Sequence, residues 1–502
     1  LVTLQRIAAS GFSMKRIAAC LILAAGLPGV FAQTNALATR PLSLTDCFAE
    51  ALKHNLDVQV QRYEPQISLY DLRAAYGGYD PTFNLSGQHT HNDFGGIFIT
   101  NAAPVSENNT FKSDLGGALP TGTTYDLFGN AAGNYGTAGE NSGGQIGVDL
   151  TQPLLKNFWI DNNRLTISVA KNRLQYSEQG LREQIITTVT AVETAYYELI
   201  YARENVKVQQ EALTLAETQL HDDNVRVQFG TVAQSGGTLE QDEAQVAQNR
   251  ANLIAAENTL SVDQNTLKSL LTDNYAQWHA VAIEPTETLQ AAQQPFDLQD
   301  SWSKGMTKRP DLLQARLDVE QQGIVLKFDN NQIYPQLNLV GSFGYNGAGV
   351  VIGDTFNQYG SANRPFYSYG AQLSIPLSNA KARNNLQADK ATDRQLLLKL
   401  KQLEQNIMVE IDNAVKAAES AWESVDATQK ARLYAEAALK AEQGKYAAGK
   451  STTFTVLQLQ NNVTSARSQE IRALANYDEA LANLAQQEGS TLDRRHLDVQ
   501  AK

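Results

Sequence analysis

The chain has 502 residues, a net charge of -12 and a pI near 5.1, an acidic balance that excludes nucleic acid as the main partner. Mean hydropathy is -0.34. Past the N-terminus no run approaches the roughly 18 consecutive apolar residues of a spanning helix, so any membrane-embedded form must be a closed β-barrel.

Residues 1–32 read as a secretory signal, with Met14-Lys15-Arg16 as the charged start, Ile17 to Val30 as the apolar stretch and Val30-Phe31-Ala32 as the cleavage site. Leu1 to Ser13 read as an upstream extension. Ile17-Ala18-Ala19-Cys20 is a poor lipoprotein box, because no apolar region precedes the cysteine. Cleavage removes Arg6, Lys15, Arg16 and Cys20 and leaves Cys47 as a single cysteine, so no internal disulfide is expected. Stability must then come from packing or oligomerisation.

Residues 42–76 read as helix, opened by the capping run Leu42-Ser43-Leu44-Thr45-Asp46. From Pro81 to His91 the pattern alternates, with Phe83, Leu85 and Gly87 on one face. The Gly/Asn-rich stretch 92–143 holds Phe111 to Leu119, the turn Pro120-Thr121-Gly122, and Thr123 to Gly129, which read as an extra hairpin between loops. A strand at 144–152 ends at Pro153.

From Asn163 to Phe229 the period is helical. Ile185, Val189, Val192, Tyr196, Leu199, Arg203, Val206, Gln210, Leu213, Glu217, Leu220, Asn224 and Val227 step by alternating fours and threes, as in a coiled-coil seam. At 1.5 Å per residue this helix is roughly 100 Å long. Gly230 is the expected stop, and a return helix covers 234–271. A Pro-containing linker, 274–297, leads to a helix at Leu298 that restarts at Arg309-Pro310-Asp311-Leu312. Strands 335–345 and 367–376 flank the loop 346–364. A second long helix covers 382–447, with Leu400, Leu403, Ile407, Ile411, Ala414, Ala418, Ala421 and Val425 in its seam. Gly449 breaks it, and 454–487 runs back.

The chain thus says the same thing twice. Gly147 to Leu154, with Leu150-Thr151-Gln152-Pro153-Leu154 at its end, matches Gly370 to Leu377, with Leu373-Ser374-Ile375-Pro376-Leu377. Pro81 to Gly87 echoes Pro335 to Gly341. The division that follows is 33–273 as first repeat, 274–297 as linker, 298–489 as second repeat and 490–502 as tail.

Strand, octet, long helix, glycine turn and return helix, repeated behind a signal, resemble the TolC-type outer-membrane efflux protein family over residues 42 to 489. Further marks are Arg309-Pro310-Asp311-Leu312 and Tyr446-Ala447-Ala448-Gly449 leading into Val456-Leu457-Gln458. The resemblance implies a mainly α fold with a β-barrel. Three chains would close a transmembrane β-barrel in the outer membrane and extend it as an antiparallel coiled-coil α-helical barrel through the periplasm. It implies a homotrimer in outer-membrane lipid, a periplasmic adaptor protein and an inner-membrane pump as partners, no cofactor, no metal and no catalysis. Gly230, Thr231, Val232, Gly449, Lys450 and Ser451 fall at the adaptor-docking turns, and Gly236, Tyr446, Thr455 and Gln458 at the aperture. Relatives carry carboxylates six and nine residues after the second-copy glycine, where Thr455 and Gln458 stand here. They also carry an arginine–aspartate latch, where Ser451 and Gly236 stand. Tyr446 matches a latch tyrosine. The charged gate is therefore missing, and Glu240, Asp242 and Glu243, a turn beyond, are its candidate substitutes. The family has two strands per repeat, whereas this first repeat has room for four, the added pair being placed outside the membrane.

Three rival signals are weaker. Gly444 to Ser451 fits the P-loop pattern G-x-x-x-x-G-K-[ST], but the preceding run 431–440 is helical where a P-loop needs a strand. Gly347-x-Gly349-x-x-x-Gly353 has no helical continuation of a dinucleotide motif. His89 and His91 share a strand face without a third ligand, and His221-Asp222-Asp223 reads as a solvated helix face. The chain has no G-x-S-x-G and no H-E-x-x-H. Two alternatives stay open: a protein-secretion exit duct of the same fold, and a soluble periplasmic coiled-coil scaffold.

Overall fold

A computed structural model describes residues 38–93, 105–136, 139–229 and 238–497. The signal segment lies outside the described residues. β1 (Ala38–Leu42) leads into α1 (Leu44–His54), where Ser43 and Asp46 form the expected capping box. The single helix expected over 42–76 is divided: α1 stops at Asn55, whose side chain caps α2 (Leu56–Gln61), and α3 (Tyr63–Tyr76) follows.

Four strands come next: β2 (Thr82–Asp93), β3 (Val105–Ala118), β4 (Thr124–Gly136) and β5 (Asn141–Pro153). Asp161 caps α4 (Asn162–Gln228) by accepting from the Arg164 amide, and α4 packs along α5 (Thr238–Leu271). The interval read as a linker contains α6 (Tyr275–Trp278) and β6 (Val281–Pro285), and β6 pairs in parallel with β1. The second repeat holds α7 (Leu298–Lys308), α8 (Pro310–Gln332), β7 (Gln336–Gly349), α9 (Ile352–Ser361), β8 (Pro365–Ser374), α10 (Ala380–Ala447) and α11 (Thr453–Gln487), followed by the short α12 (Thr491–Arg494).

The strands form one antiparallel sheet in the order β2-β3-β4-β5-β7-β8. The 105–136 hairpin lies inside this sheet, between β2 and β5, and is not a separate appendage as expected. Register makes the two faces unlike. Phe83, Leu115, Leu127, Val148, Phe343 and Tyr367 form one unbroken cross-strand row through all six strands. In the half of the sheet nearer the helices that face carries exposed large apolar side chains, including Leu85, Phe111, Ile146, Leu339 and Tyr369. Its far half holds His89, His91, Glu107 and Asn109, and α9 packs there on Ser142, Gly144 and Gly347. Ser86, Lys112, Asn130, Gln145 and Asn346 form a polar row on the opposite face. That face is polar or small apart chiefly from Phe128 and Phe366, whose ring centroids are 6.5 Å apart.

Side-chain packing is concentrated along the long helices. One cluster joins Leu42, Phe48, Val58, Val189, Tyr196, Leu199, Leu267, Leu271 and Ile283 from α4, α5, β6 and the N-terminal elements. Another joins Leu312 of α8 with Ile407 and Ile411 of α10. The α4 seam holds from Ile185 to Leu199. Beyond it only Leu213 of the expected positions is buried, and the buried face passes to Ala202, Val208, Ala212, Ala216 and Asp223. Ala202, Ala216 and Asp223 keep a seven-residue spacing one position ahead of the expected seam, so the seam steps by one residue between Leu199 and Ala202 and then resumes its heptad period.

The motif Arg309-Pro310-Asp311-Leu312 acts as a clamp. Pro310 opens α8, Arg309 pairs with Asp311 at 2.7 Å and Glu410 at 2.6 Å, and it reaches the Gln487 side chain at 3.0 Å. Buried Glu193 of α4 is paired with Arg495 of the tail, joining the chain's last described turn to the first repeat.

Candidate functional site

The α10 helix ends by a Schellman motif. The Lys450 amide donates to the Lys445 carbonyl at 2.8 Å and the Gly449 amide to the Tyr446 carbonyl at 3.0 Å, with Gly449 at φ +69°. Thr452 then caps α11. The Ser451 hydroxyl donates to Glu442 at 2.5 Å, and Lys445 pairs with the other oxygen of that carboxylate at 2.7 Å. The turn holding Gly449, Lys450 and Ser451 is thereby fixed from behind. The facing turn residues Gly230, Thr231 and Val232, and Gly236, lie outside the described residues.

The same geometry disposes of the P-loop pattern. The segment before Gly449 is the end of a 68-residue helix, and the Lys450 amide is already committed to closing it.

Below the turn, four helices meet at a buried carboxylate that sequence reasoning placed on a solvated face. Asp223 of α4 accepts from Tyr446 of α10 at 2.7 Å, from Thr453 of α11 at 3.1 Å and from Gln219 at 2.9 Å. Arg226 lies 3.5 Å from it and stacks over the Tyr446 ring at 4.6 Å. Asp242 of α5 completes the group and is 1 % exposed. As a carboxylate, Asp242 has no donor to either oxygen; as an acid it donates to Asp223. Burial first, then the Asp223 charge and the bond between them, push its carboxyl up to about 7. Asp242 is therefore an interhelical group and not the substitute gate charge that its sequence position suggested.

Tyr446 thus sits in the node and contacts Asp223. Thr455 is half-buried in the first turn of α11, its hydroxyl 3.0 Å from that of Thr452, and Gln458 is exposed one turn on. Phe229 and Phe454 stand exposed near the turns. The only sequence sign of the node was that Asp223 falls one residue ahead of the expected seam position Asn224. His89 and His91 each face a side chain across the ladder, Asn109 at 2.8 Å and Glu107 at 3.0 Å.

Two long helical hairpins joined to a sheet with one apolar and one polar face make a wall that separates lipid from water at one end and continues far beyond a bilayer at the other. The family model of the outer membrane efflux protein matches residues 48–272 and again residues 303–490. The chain belongs to the outer membrane efflux protein family. It is an outer-membrane protein whose helices extend into the periplasm, and its fold is that of the family's TolC-like channels. The outer membrane efflux protein BepC of Brucella suis is 21% identical over 68% of this chain and 71% of its own length. The pyoverdine export outer membrane protein OpmQ of Pseudomonas aeruginosa is 24% identical over 63% of this chain and 64% of its own. The crystal structure of the CmeC outer membrane channel of Campylobacter jejuni superposes with a TM-score of 0.66 at 16% identity, covering 89% of this chain and 86% of that one.

Proposed function

We propose that three copies of this chain form a passive exit duct of a tripartite export system that carries small toxic compounds across the periplasm and outer membrane. The observation that carries this reading is the continuity of helical hairpins roughly 100 Å long with a sheet apolar on one face and polar on the other. The duct catalyses nothing. Its energy comes from an inner-membrane pump, joined through a periplasmic adaptor protein that grips Gly230, Thr231, Val232, Gly449, Lys450 and Ser451. Gly236, Tyr446, Thr455 and Gln458 form the narrow end, held shut by the Asp223 node in place of a charged ring. A relative named for pyoverdine export supports a small-molecule cargo.

Deletion of the chain, followed by growth on a panel of toxic compounds and by comparison of secreted proteins, tests the cargo. Sensitivity with an unchanged secretome supports efflux, and loss of a secreted protein without sensitivity replaces it with polypeptide export. Electron microscopy in detergent tests the duct: three-fold cylinders longer than ~100 Å are expected, and thin rods that need no detergent would overturn the reading.

A further inference from the structure

Over its half nearer the helices, the hairpin of β3 and β4 has the pairing and the two-faced pattern of a membrane wall, with Asn109 and Glu107 standing beyond that half on the same face as Leu115. Its two strands are 14 and 13 residues long, enough for the ~9–11 residues of a tilted span. Each is hydrogen-bonded on both sides, β3 between β2 and β4, and β4 between β3 and β5. Both carry the apolar row on one face, through Leu115 and Leu127, and the polar row on the other, through Lys112 and Asn130. Their connecting turn is locked to the base of α4. Gly122 sits at φ +86°, where a Cβ would lie 2.4 Å from the Asn157 carbonyl, and Thr123 bonds the Gln152 side chain.

Resting on the trimeric reading above, we propose that this hairpin lines the pore, so that six strands from each of three copies close an eighteen-stranded barrel, β8 of one copy pairing with β2 of the next. The edges β2 and β8 are the places where the sheet's backbone groups lack a ladder partner, and lipid offers them none. An even number of antiparallel strands leaves the two edges running in opposite directions, so head-to-tail closure is antiparallel at every junction. Strands ~4.8 Å apart and tilted ~40° give a ring ~110 Å around and ~36 Å across. Without the hairpin the same arithmetic gives ~75 Å and ~24 Å. Twelve helices packed ~10 Å apart occupy ~120 Å. The hairpin therefore matches the barrel to the bore of the helical tube and removes a constriction at the membrane.

The test is spin labelling of the full chain in phosphatidylethanolamine–phosphatidylglycerol vesicles. Single cysteines are placed at Phe111→Cys and Leu127→Cys on the apolar face, and at Lys112→Cys and Asn130→Cys on the polar face. Phe343→Cys and Asn346→Cys in β7 are the controls. The native Cys47 is fully buried and stays silent, and Cys20 is removed by Cys20→Ser in every labelled variant. Relaxation by oxygen reports lipid, and relaxation by a water-soluble nickel chelate reports the lumen. The hairpin positions are expected to alternate between oxygen and nickel in step with β7. Nickel access at all four hairpin sites with β7 still alternating would overturn the eighteen-stranded barrel alone. Loss of alternation in β7 as well would overturn the membrane reading itself. Averaged images of the trimer provide the count: a barrel ~36 Å across supports the inference, and one ~24 Å across defeats it.

Discussion

The phenolic hydroxyl of Tyr446 on α10 donates to the carboxylate of Asp223 on α4 across 2.7 Å, joining the tips of the two repeats beside the Thr453 bond to the same carboxylate. A hydrogen bond to a charged group contributes about 1.5–3 kcal/mol. Tyr446→Phe removes it and leaves the carboxylate short of a donor. The variant is expected to loosen the tips and raise the mean conductance of reconstituted channels. Conductance equal to wild type would mean that the bond does not hold the narrow end.

The node also predicts a pH response. Asp242 has a folded-state pKa of about 7, raised from 3.8. An acid whose folded pKa is raised binds more protons folded than unfolded between those two values. Its contribution is complete at low pH and is lost as pH rises through about 7. The group facing it is Asp223, which in turn meets Arg226 of α4, Tyr446 of α10 and Thr453 of α11. Tip amides, corrected for intrinsic rates, should exchange more slowly at pH 6 than at pH 8. Asp242→Asn should abolish the difference.

Arg309 is a second point of dependence, since one side chain holds α8, α10 and the end of α11. Its guanidinium is 13% exposed. Asp311 and Glu410 are 28% and 48% exposed, so solvent screening brings the loss well below the ~3–5 kcal/mol of a fully buried pair. Arg309→Ala should lower the unfolding midpoint. Arg309→Lys should recover only part, because an ammonium cannot serve Asp311 and Glu410 with a planar fork.

Gly449 isolates backbone from packing. A Cβ there would meet nothing within 4 Å, so only the positive φ resists substitution. Gly449→Val should cost roughly 1–2 kcal/mol and reduce export while the channel still assembles. Gly449→Asn, which tolerates this conformation, should export nearly as well as wild type.

The neutral aperture proposed for Thr455 and Gln458 gives a gain-of-function test. Thr455→Asp with Gln458→Asp restores the two carboxylate positions of the family. The double variant should be blocked by a trivalent cobalt ammine at concentrations that leave the wild-type channel open. Equal block in both would show that these positions do not face the pore.

Most of the architecture was legible in the sequence, because long periodic segments and their caps are local signals. The observed α10 and α11 begin within two residues of where the period places them, and Pro153 and Pro310 mark the boundaries expected of them. What escaped is what depends on distant partners. Val281–Pro285 has no strand signal of its own and becomes one by pairing with Ala38–Leu42. Ile352–Ser361 lies in a stretch whose glycines argue for a loop, yet it folds as a helix against β7 and β5, where Thr355 meets Ser142 of β5 at 2.7 Å. Asp223 looked solvated because the polar triplet His221-Asp222-Asp223 gives no hint of the three helices that close over it. Of the candidate site, Gly449 and Tyr446 were readable from turn chemistry and motif, whereas Asp242 was noticed for its charge and misplaced by its distance from the turn.

The parallel pair of β1 and β6 fastens the segment ahead of the first repeat to the interval between the repeats, and Leu42 and Ile283 pack there with Leu267 and Leu271 near the end of α5. From that belt α5 reaches to the tip over 34 residues, a lever arm of ~50 Å. A tilt of ~5° of the α4–α5 pair about the belt would carry its tip through ~4 Å, enough to part Asp223 of α4 from Tyr446 of α10. Opening of the proposed duct would then require no melting of either repeat, and the proposed adaptor at the tips would act with the mechanical advantage of a long handle on a short hinge.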